Sequence, residues 1–200
     1  MVEYLLNPPE FDPLDYDNLA KSCVQELMSQ GPYALPLPNR FTGAGIYAIF
    51  YRGTRNSFPA YSRWAAPEAD HPVYVGKAIP IGGRRGTPTS AARGSAGPLF
   101  ARLSEHAGSI EAATNLDIDD FACRFLVMKP VWISLAERFV IDHWPIWNVC
   151  IDGFGNHDPG SGRHQGEVSW WDALHPGRPW AARLRQTRSQ HDALQQLTTC

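Results

Sequence analysis

Cysteine is scarce in this chain of 200 residues, with four scattered copies at Cys23, Cys123, Cys150 and Cys200. No C-x-x-C pair and no matching histidine spacing accompanies them, so the pattern indicates neither a zinc knuckle nor a small disulfide framework. Long apolar runs are also missing, since none approaches the roughly 18 residues that a membrane-spanning helix needs. No basic region followed by an apolar stretch opens the chain, as it would in an export signal. We therefore expect a soluble protein with no membrane partner, in a reducing cytoplasm.

The net charge is small, at −2 with a pI near 6.4, which argues against indiscriminate binding to nucleic acid. The charges are nevertheless unevenly distributed. Residues 1–30 carry six acids and a single base, whereas residues 76–104 carry five basic residues and no acid. Residues 178–188 hold four arginines and again no acid. Such segments favour a polyanionic partner, although solvated surface arginines explain the charge pattern about equally well.

Hydrophobic periodicity predicts a series of helices and strands. Asp17 is predicted to cap an N-terminal helix that Gly31 ends. A buried strand over residues 45–51 is expected to pair with a second strand over residues 73–76. The later elements are predicted to be a helix over 99–106, a strand over 121–128, an apolar helix from 131 to about 143 that Pro145 ends, and a last helix from about 181. This order predicts an α+β (mixed α/β) fold.

Several residues whose side chains could take part in catalysis follow one another along the chain. They are the triplet Gly45-Ile46-Tyr47, the triplet Tyr74-Val75-Gly76 with Lys77 after it, Arg102 four positions before His106, then Glu137, and Asn148 after Pro145. Each has an ordinary explanation alone: a strand tyrosine usually packs in a core, Arg-x-x-x-His is usually a solvated helix face, and the asparagine is usually a cap. Taken as a set, these residues could form one site. Tyr47 can place its hydroxyl in that site from one face of its strand. Arg102 and His106 share a helix face and can reach the same phosphate.

Glu137 is the most informative single position, because the helix around it is apolar almost all round. An unpaired buried carboxylate is costly, so Glu137 needs a cation beside it. That cation could be Arg138 or Arg124 in an ion pair. It could also be Mg²⁺, with Mn²⁺ as a substitute, completed by waters and a substrate phosphate.

The ordered set resembles the GIY-YIG nuclease superfamily over roughly residues 43–150, with the second signature present as Tyr-Val-Gly. The resemblance implies a metal-dependent nuclease acting on double-stranded DNA. Tyr47 would be the general base or would orient the attacking water, with His106 assisting. Arg102 would stabilise phosphoryl charge and Glu137 would hold the metal. The remaining members of the implied catalytic set are Tyr74, Lys77 and Asn148.

A tyrosine can act as a general base near neutral pH only if its pKa is lowered. A free tyrosine has a pKa near 10, so the pKa of Tyr47 would have to fall by roughly three units for proton abstraction near pH 7. Lys77, Arg102 and the metal are the predicted sources of that shift. The stretch Val75-Gly76-Lys77-Ala78 lacks the glycine spacing and the Ser/Thr of a phosphate-binding loop, so we expect no nucleotide cofactor.

We expect a single domain, with an N-terminal helical elaboration (1–40), a catalytic core (43–150) and a tail (151–200). Compared with compact members of the superfamily, residues 51–72 and 82–98 look like insertions. No zinc module or helix-turn-helix accompanies the core, so target recognition must come from the insertions and the tail. The predicted DNA contacts are Arg63, Arg84, Arg85, Arg93 and Arg178.

This plan resembles the free-standing type II restriction endonucleases of the superfamily. The tail motif Asp-Gly-Phe-Gly-Asn with Trp170-Trp171 is similar to the subgroup that cuts GC-rich palindromes of the CCGCGG kind. The resemblance implies a homodimer, because a palindrome presents two related strands. Two alternatives stay open: a structure-specific nuclease of repair or mobile-element processing, and a DNA-binding protein with an inactive nuclease core.

Overall fold

The computed structural model describes residues 12, 15–53, 58–79, 97–141, 146–160 and 165–200. Three predicted DNA contacts, Arg84, Arg85 and Arg93, lie outside the described residues, as does Pro145. In the described part, four strands form one sheet in the order β1-β4-β2-β3, and every neighbouring pair is antiparallel. The strands are β1 (Tyr33–Ala34), β2 (Gly45–Tyr51), β3 (Pro72–Ala78) and β4 (Phe121–Val127).

Helices cover both faces of this sheet, which confirms the predicted α+β class. They are α1 (Tyr16–Ser29), α2 (Pro98–Ala112), α3 (Pro130–Ile141), α4 (Trp170–Leu174) and α5 (Gln190–Thr198). None of the helices in the described ranges combines the length and the apolarity that crossing a bilayer demands.

Strand β2 lies at the centre, and all seven of its residues are buried. Its side chains alternate between two apolar clusters, as the period of two in a strand requires. Tyr47 and Ile49 point into the cluster that contains α2 and the tail, whereas Ile46 and Ala48 point into the cluster that contains α1 and α3. The predicted pairing of β2 with β3 and the predicted division of its faces are both confirmed.

Three predicted boundaries were wrong. Helix α1 begins at Tyr16 and is capped by Asp15, whose carboxylate accepts from the Asp17 backbone N–H at 2.8 Å, so Asp17 already belongs to the first turn. Helix α2 continues to Ala112, well beyond His106. The last helix starts at Gln190 because Ser189 and Asp192 form a reciprocal capping box there.

The tail is part of the core rather than an appendage. Trp171 and Leu174 are fully buried in the same cluster as Tyr47. His175 is also fully buried, and its imidazole is bonded to the Tyr61 hydroxyl at 2.5 Å and to the Asn115 side chain at 2.8 Å. Because Tyr61 belongs to the first insertion, this polar network joins that insertion to the tail.

Cys150 and Cys200 are joined in a disulfide, with their Cα atoms 6.3 Å apart. The sequence indicated no small disulfide framework, and this single bridge was not predicted. The two residues are 50 positions apart in sequence, and spacing of this kind does not reveal a pairing. Cys23 and Cys123 are free.

Candidate active site

Tyr47 and His106 form the centre of the candidate site. The Tyr47 hydroxyl lies 2.6 Å from Nε2 of His106, and the two side chains are 1% and 2% exposed. Strand β2 supplies the tyrosine and α2 the histidine. Gly76 stands opposite Tyr47 in the β2–β3 register, and a Cβ on Gly76 would collide with the phenol. The glycine of the second triplet therefore makes room for the tyrosine of the first.

Burial keeps both groups of this pair neutral. Burial, assisted by the neighbouring Tyr74, raises the pKa of Tyr47 well above its ordinary value of 10, although Arg102 acts in the opposite direction. Burial, followed by the charges of nearby arginines and His157, holds the pKa of His106 well below 6.5. Of the expected sources of a lowered Tyr47 pKa, Arg102 acts in that direction, and burial outweighs it. A neutral imidazole beside the phenol is instead ready to take its proton.

Arg102 lies one helical turn before His106, as predicted, and its guanidinium has several partners. Nη2 donates to the carbonyl of Gly155 at 2.8 Å, and Nη1 donates to the Glu105 carboxylate at 2.9 Å. The His157 imidazole also contacts Nη1. The guanidinium is thus held at the mouth of the site, where its side chain keeps 20% of its surface exposed.

Tyr74 completes the aromatic part of the site from β3. Its ring stands edge-on to His106 and to Phe154, with centroids 5.1 Å and 4.9 Å away. Burial raises the pKa of Tyr74, while Arg102 and the Tyr47 hydroxyl lower it and Glu137 raises it further. A Cβ on Gly155 would approach the Tyr74 hydroxyl to 2.6 Å, so the tail fits closely against this tyrosine.

Glu137 has a lysine as its cation. Its Oε2 lies 2.6 Å from Nζ of Lys77, and the two side chains are 18% and 33% exposed. The open alternatives Arg138 and Arg124 were therefore wrong as partners. Arg124 instead donates to backbone carbonyls, including those of Met28 and Ala69.

Asn148 holds the backbone of β3 beside the site. Its Oδ1 accepts from the Val75 N–H at 2.9 Å, and its Nδ2 donates to the Val75 carbonyl at 2.8 Å. The residue belongs to a π-helical turn, Ile146–Cys150. Because Val75 is flanked by Tyr74 and Gly76, this bidentate amide contact fixes the strand segment that carries the second triplet.

A family model for the Eco29kI GIY-YIG domain matches residues 39–199 of the chain. The chain belongs to the Eco29kI GIY-YIG family. It is accordingly a nuclease of the restriction type, with DNA as its substrate. No curated protein sequence matches the chain.

Two predicted DNA contacts of this GIY-YIG protein have structural partners. Arg178 is only 4% exposed, and its guanidinium is bonded to Asp172 and to carbonyls of residues 153–156. A buried arginine so engaged cannot reach DNA, so the prediction for Arg178 was wrong. Arg63 is exposed, and its Nη2 donates to the Leu197 carbonyl at 2.9 Å.

The sequence did not predict that residues 154–157 line one side of the GIY-YIG site. Phe154 stacks on the His106 ring with centroids 4.5 Å apart and planes 18° apart, and Gly155 and His157 engage Arg102. The motif Asp152-Gly-Phe-Gly-Asn156 was noticed only as a mark of subgroup resemblance. Its two glycines signal a sharp turn that close packing requires. Nothing in the local sequence says which helix that turn packs against.

Replacement of Tyr47 by phenylalanine separates a chemical role from core packing. Tyr47→Phe removes the hydroxyl bonded to His106 and little volume, so we expect DNA cleavage to slow by about a hundredfold or more with the fold retained. Tyr51→Phe is the matched control, because it removes a buried hydroxyl from the same face of β2 and should leave the cleavage rate unchanged. If wild type and Tyr47→Phe cleave DNA at equal rates in single-turnover experiments, Tyr47 has no chemical role and serves only in core packing.

The buried histidines make folding stability sensitive to acid. Burial lowers the pKa of His175 to about 3 and that of His106 well below 6.5. The unfolded chain therefore binds protons below about pH 6.5 that the folded chain does not, so stability falls as the pH drops below that value. Each group contributes a slope of up to about 1.4 kcal/mol per pH unit.

Urea unfolding between pH 7 and pH 5 measures this loss. We expect the free energy of unfolding to decrease steadily over the range and the decrease to be shallower in His175→Gln. His71→Gln is the control, since the His71 side chain is 66% exposed, and it should follow the wild-type curve. A free energy that stays constant from pH 7 to pH 5 would contradict the assignment of neutral buried imidazoles.

Proposed function

We propose that this GIY-YIG nuclease is a type II restriction endonuclease that makes Mg²⁺-dependent double-strand breaks at a specific GC-rich palindrome of the CCGCGG kind. The observation that carries the chemistry is the buried 2.6 Å contact between the Tyr47 hydroxyl and Nε2 of His106. Arg102 acts on the Tyr47 hydroxyl, and Glu137 acts on the neighbouring Tyr74. One arginine and one glutamate near a tyrosine–histidine pair suit phosphodiester hydrolysis by water. Residues of the two insertions and of the tail would determine the target sequence.

Proton transfer begins at Tyr47. As water attacks the phosphorus in line, the bond from phosphorus to the opposite, leaving oxygen breaks, and that oxygen takes a proton from solvent water. At the same time the Tyr47 oxygen takes a proton from the attacking water while the phenol proton passes to Nε2 of His106, which later releases it to solvent. Such a relay never requires a free phenolate, which the burial of Tyr47 disfavours. It requires His106 to be neutral before the reaction, and its lowered pKa meets that condition near pH 7.

Arg102 binds the non-bridging oxygens of the scissile phosphate. Its Nη1 is paired with Glu105, whose side chain is 53% exposed. A phosphate can replace that exposed carboxylate, because an arginine fork binds either anion with the same geometry. The bond from Nη2 to Gly155 leaves one edge of the guanidinium fixed during the exchange.

The residues present fit a hard divalent cation. Glu137 is a mostly buried carboxylate whose described partner is another cation, Lys77, at 2.6 Å. No cluster of three or more histidine, cysteine or carboxylate side chains occurs within the described ranges, so Glu137 would hold Mg²⁺ or Mn²⁺ together with waters and substrate oxygens. Once bound, the metal would polarise the phosphate and stabilise the leaving oxygen. Lys77 would then remain as a neighbouring positive charge, and Tyr74 as a hydrogen-bonding group.

Sequence recognition would rest on arginines of the second insertion. Arg84, Arg85 and Arg93 stay our predicted contacts to base edges or phosphates, because arginine reads guanine by paired bonds to O6 and N7. A homodimer with twofold symmetry would place one centre on each strand of a palindrome. One centre has a single relay and a single arginine, so one protomer cuts one strand per encounter.

Digestion of plasmid DNA with Mg²⁺, followed by sequencing of the fragment ends, tests the proposed activity. Discrete bands with a shared terminal sequence are expected. Glu137→Gln should abolish cleavage while DNA binding stays intact or strengthens, since the neutral amide no longer repels phosphate. Unspecific or branch-directed cutting would indicate the structure-specific nuclease, and binding without any turnover would indicate an inactive core.

The assembly state has its own measurement. We expect the free protein to sediment at about twice its monomer mass of 22.3 kDa. Supercoiled plasmid should then become linear with little nicked circle, because both strands are cut in one encounter. A monomer whose nicked product accumulates first would overturn the preformed dimer.

A further inference from the structure

The turn formed by residues 153–157 contacts both His106, which belongs to the proposed proton relay, and Arg102, which belongs to the proposed phosphate site. Phe154 covers the His106 ring at 4.5 Å, and the Gly155 carbonyl accepts from Arg102 Nη2 at 2.8 Å. These contacts set the ring plane of His106 and one edge of the Arg102 guanidinium. Whatever fixes the turn therefore also fixes both groups.

Arg178 is the side chain that fixes this turn. Nη2 donates to the Gly153 carbonyl at 2.9 Å, and Nη1 donates to the carbonyls of Phe154 and Asn156 at 3.0 Å and 3.2 Å. Carbonyls in a tight turn lack the ladder partners of a strand, so a buried turn needs donors from elsewhere. A guanidinium supplies several donors in one rigid plane, whereas an ammonium group cannot span three carbonyls in the same way.

The position of Arg178 is itself determined by its surroundings. Asp172 receives Nε and Nη2 at 2.6 Å and 2.7 Å, and Ser169 donates to the same carboxylate at 2.7 Å. The guanidinium also lies 4.6 Å from the ring centres of both Trp171 and Trp180. With 4% of its surface exposed, the arginine has no freedom to leave this arrangement.

We propose that Arg178 is a positioning residue for DNA cleavage, which acts by holding the 153–157 turn so that Arg102 and His106 are correctly oriented. This inference rests on the hydrolytic role proposed above for those two residues. Arg178 has no direct contact with either residue and holds the turn through backbone carbonyls. Its charge also helps to keep the pKa of His106 low, and a lysine in its place would retain that charge. The loss of Arg178 should therefore reduce the chemical rate more than DNA affinity, since small misplacements of reacting groups are costly in rate.

Arg178→Lys tests the proposal because it keeps the positive charge and removes the planar fork. We expect single-turnover cleavage to slow by about ten- to a hundredfold, with the dissociation constant for DNA changed by less than about threefold. The control is Arg188→Lys, because Arg188 also lies 4.6 Å from a tryptophan ring, that of Trp170, and donates to a tail carbonyl at 2.7 Å. It does not touch the turn, so its rate should match wild type.

A readout without DNA accompanies the kinetics. The ring signals of His106 in NMR spectra report the stacking of Phe154, and they should shift in Arg178→Lys but not in Arg188→Lys. If the wild type fails to cut DNA, the proposed function fails while this comparison still decides whether Arg178 positions the turn. An Arg178→Lys variant with wild-type rate and unshifted His106 signals would overturn the inference.

Two further variants test whether a lower cleavage rate reflects a loss of folding or a misplaced turn. Gly155→Ala should crowd the turn against the Tyr74 hydroxyl, and Asp172→Asn removes the charge that orients Arg178. We expect each to unfold cooperatively in urea and to lose cleavage rate. If Arg178→Lys and Asp172→Asn both lack a cooperative transition, the ion pair stabilises the whole domain, and the specific positioning role is overturned.

Discussion

The contact between Tyr47 and His106 depends on the register between β2 and β3. Because Gly76 stands opposite Tyr47, the phenol has the space to turn towards α2 and meet His106. A shift of one residue would turn Tyr47 to the opposite face of the sheet, towards α1 and α3. Both faces of β2 are buried, so such a shift would also move every apolar side chain of the strand into the wrong layer. The same backbone pairing thus sets both the packing of the core and the contact between Tyr47 and His106.

The tail supplies the second half of the site. Tyr47, Tyr74 and His106 come from the sheet and α2, but the surfaces that enclose them come from residues 153–157. That turn in turn relies on an ion pair that begins at α4, some fifteen residues later in the chain. A nuclease core without this tail would keep its signature triplets and lack the groups that orient its arginine and histidine.

Sequence patterns predicted those features that depend on short spacing. The β-rich run of residues 45–51 between glycines predicted the central strand. The four-residue spacing placed Arg102 and His106 on one helix face. The partner of Glu137, the disulfide of Cys150 with Cys200 and the burial of Arg178 all depend on contacts between distant segments. Charge density near Arg178 favoured DNA binding, because a run of arginines looks the same whether its members face solvent or a turn. The two-residue strand β1 is too short to leave any periodic signal.

The Asn148 amide contact has a consequence for how copies of this protein can meet. Strand β3 is the last in the sheet order, and a terminal strand presents unpaired N–H and C=O groups on which another chain can add. At Val75 both the N–H and the C=O are already hydrogen-bonded to the side-chain amide of Asn148, as they would be to a neighbouring strand. A second chain that sought to extend the sheet here would first have to displace Asn148. The Asn148 side chain thereby opposes strand addition next to Tyr74.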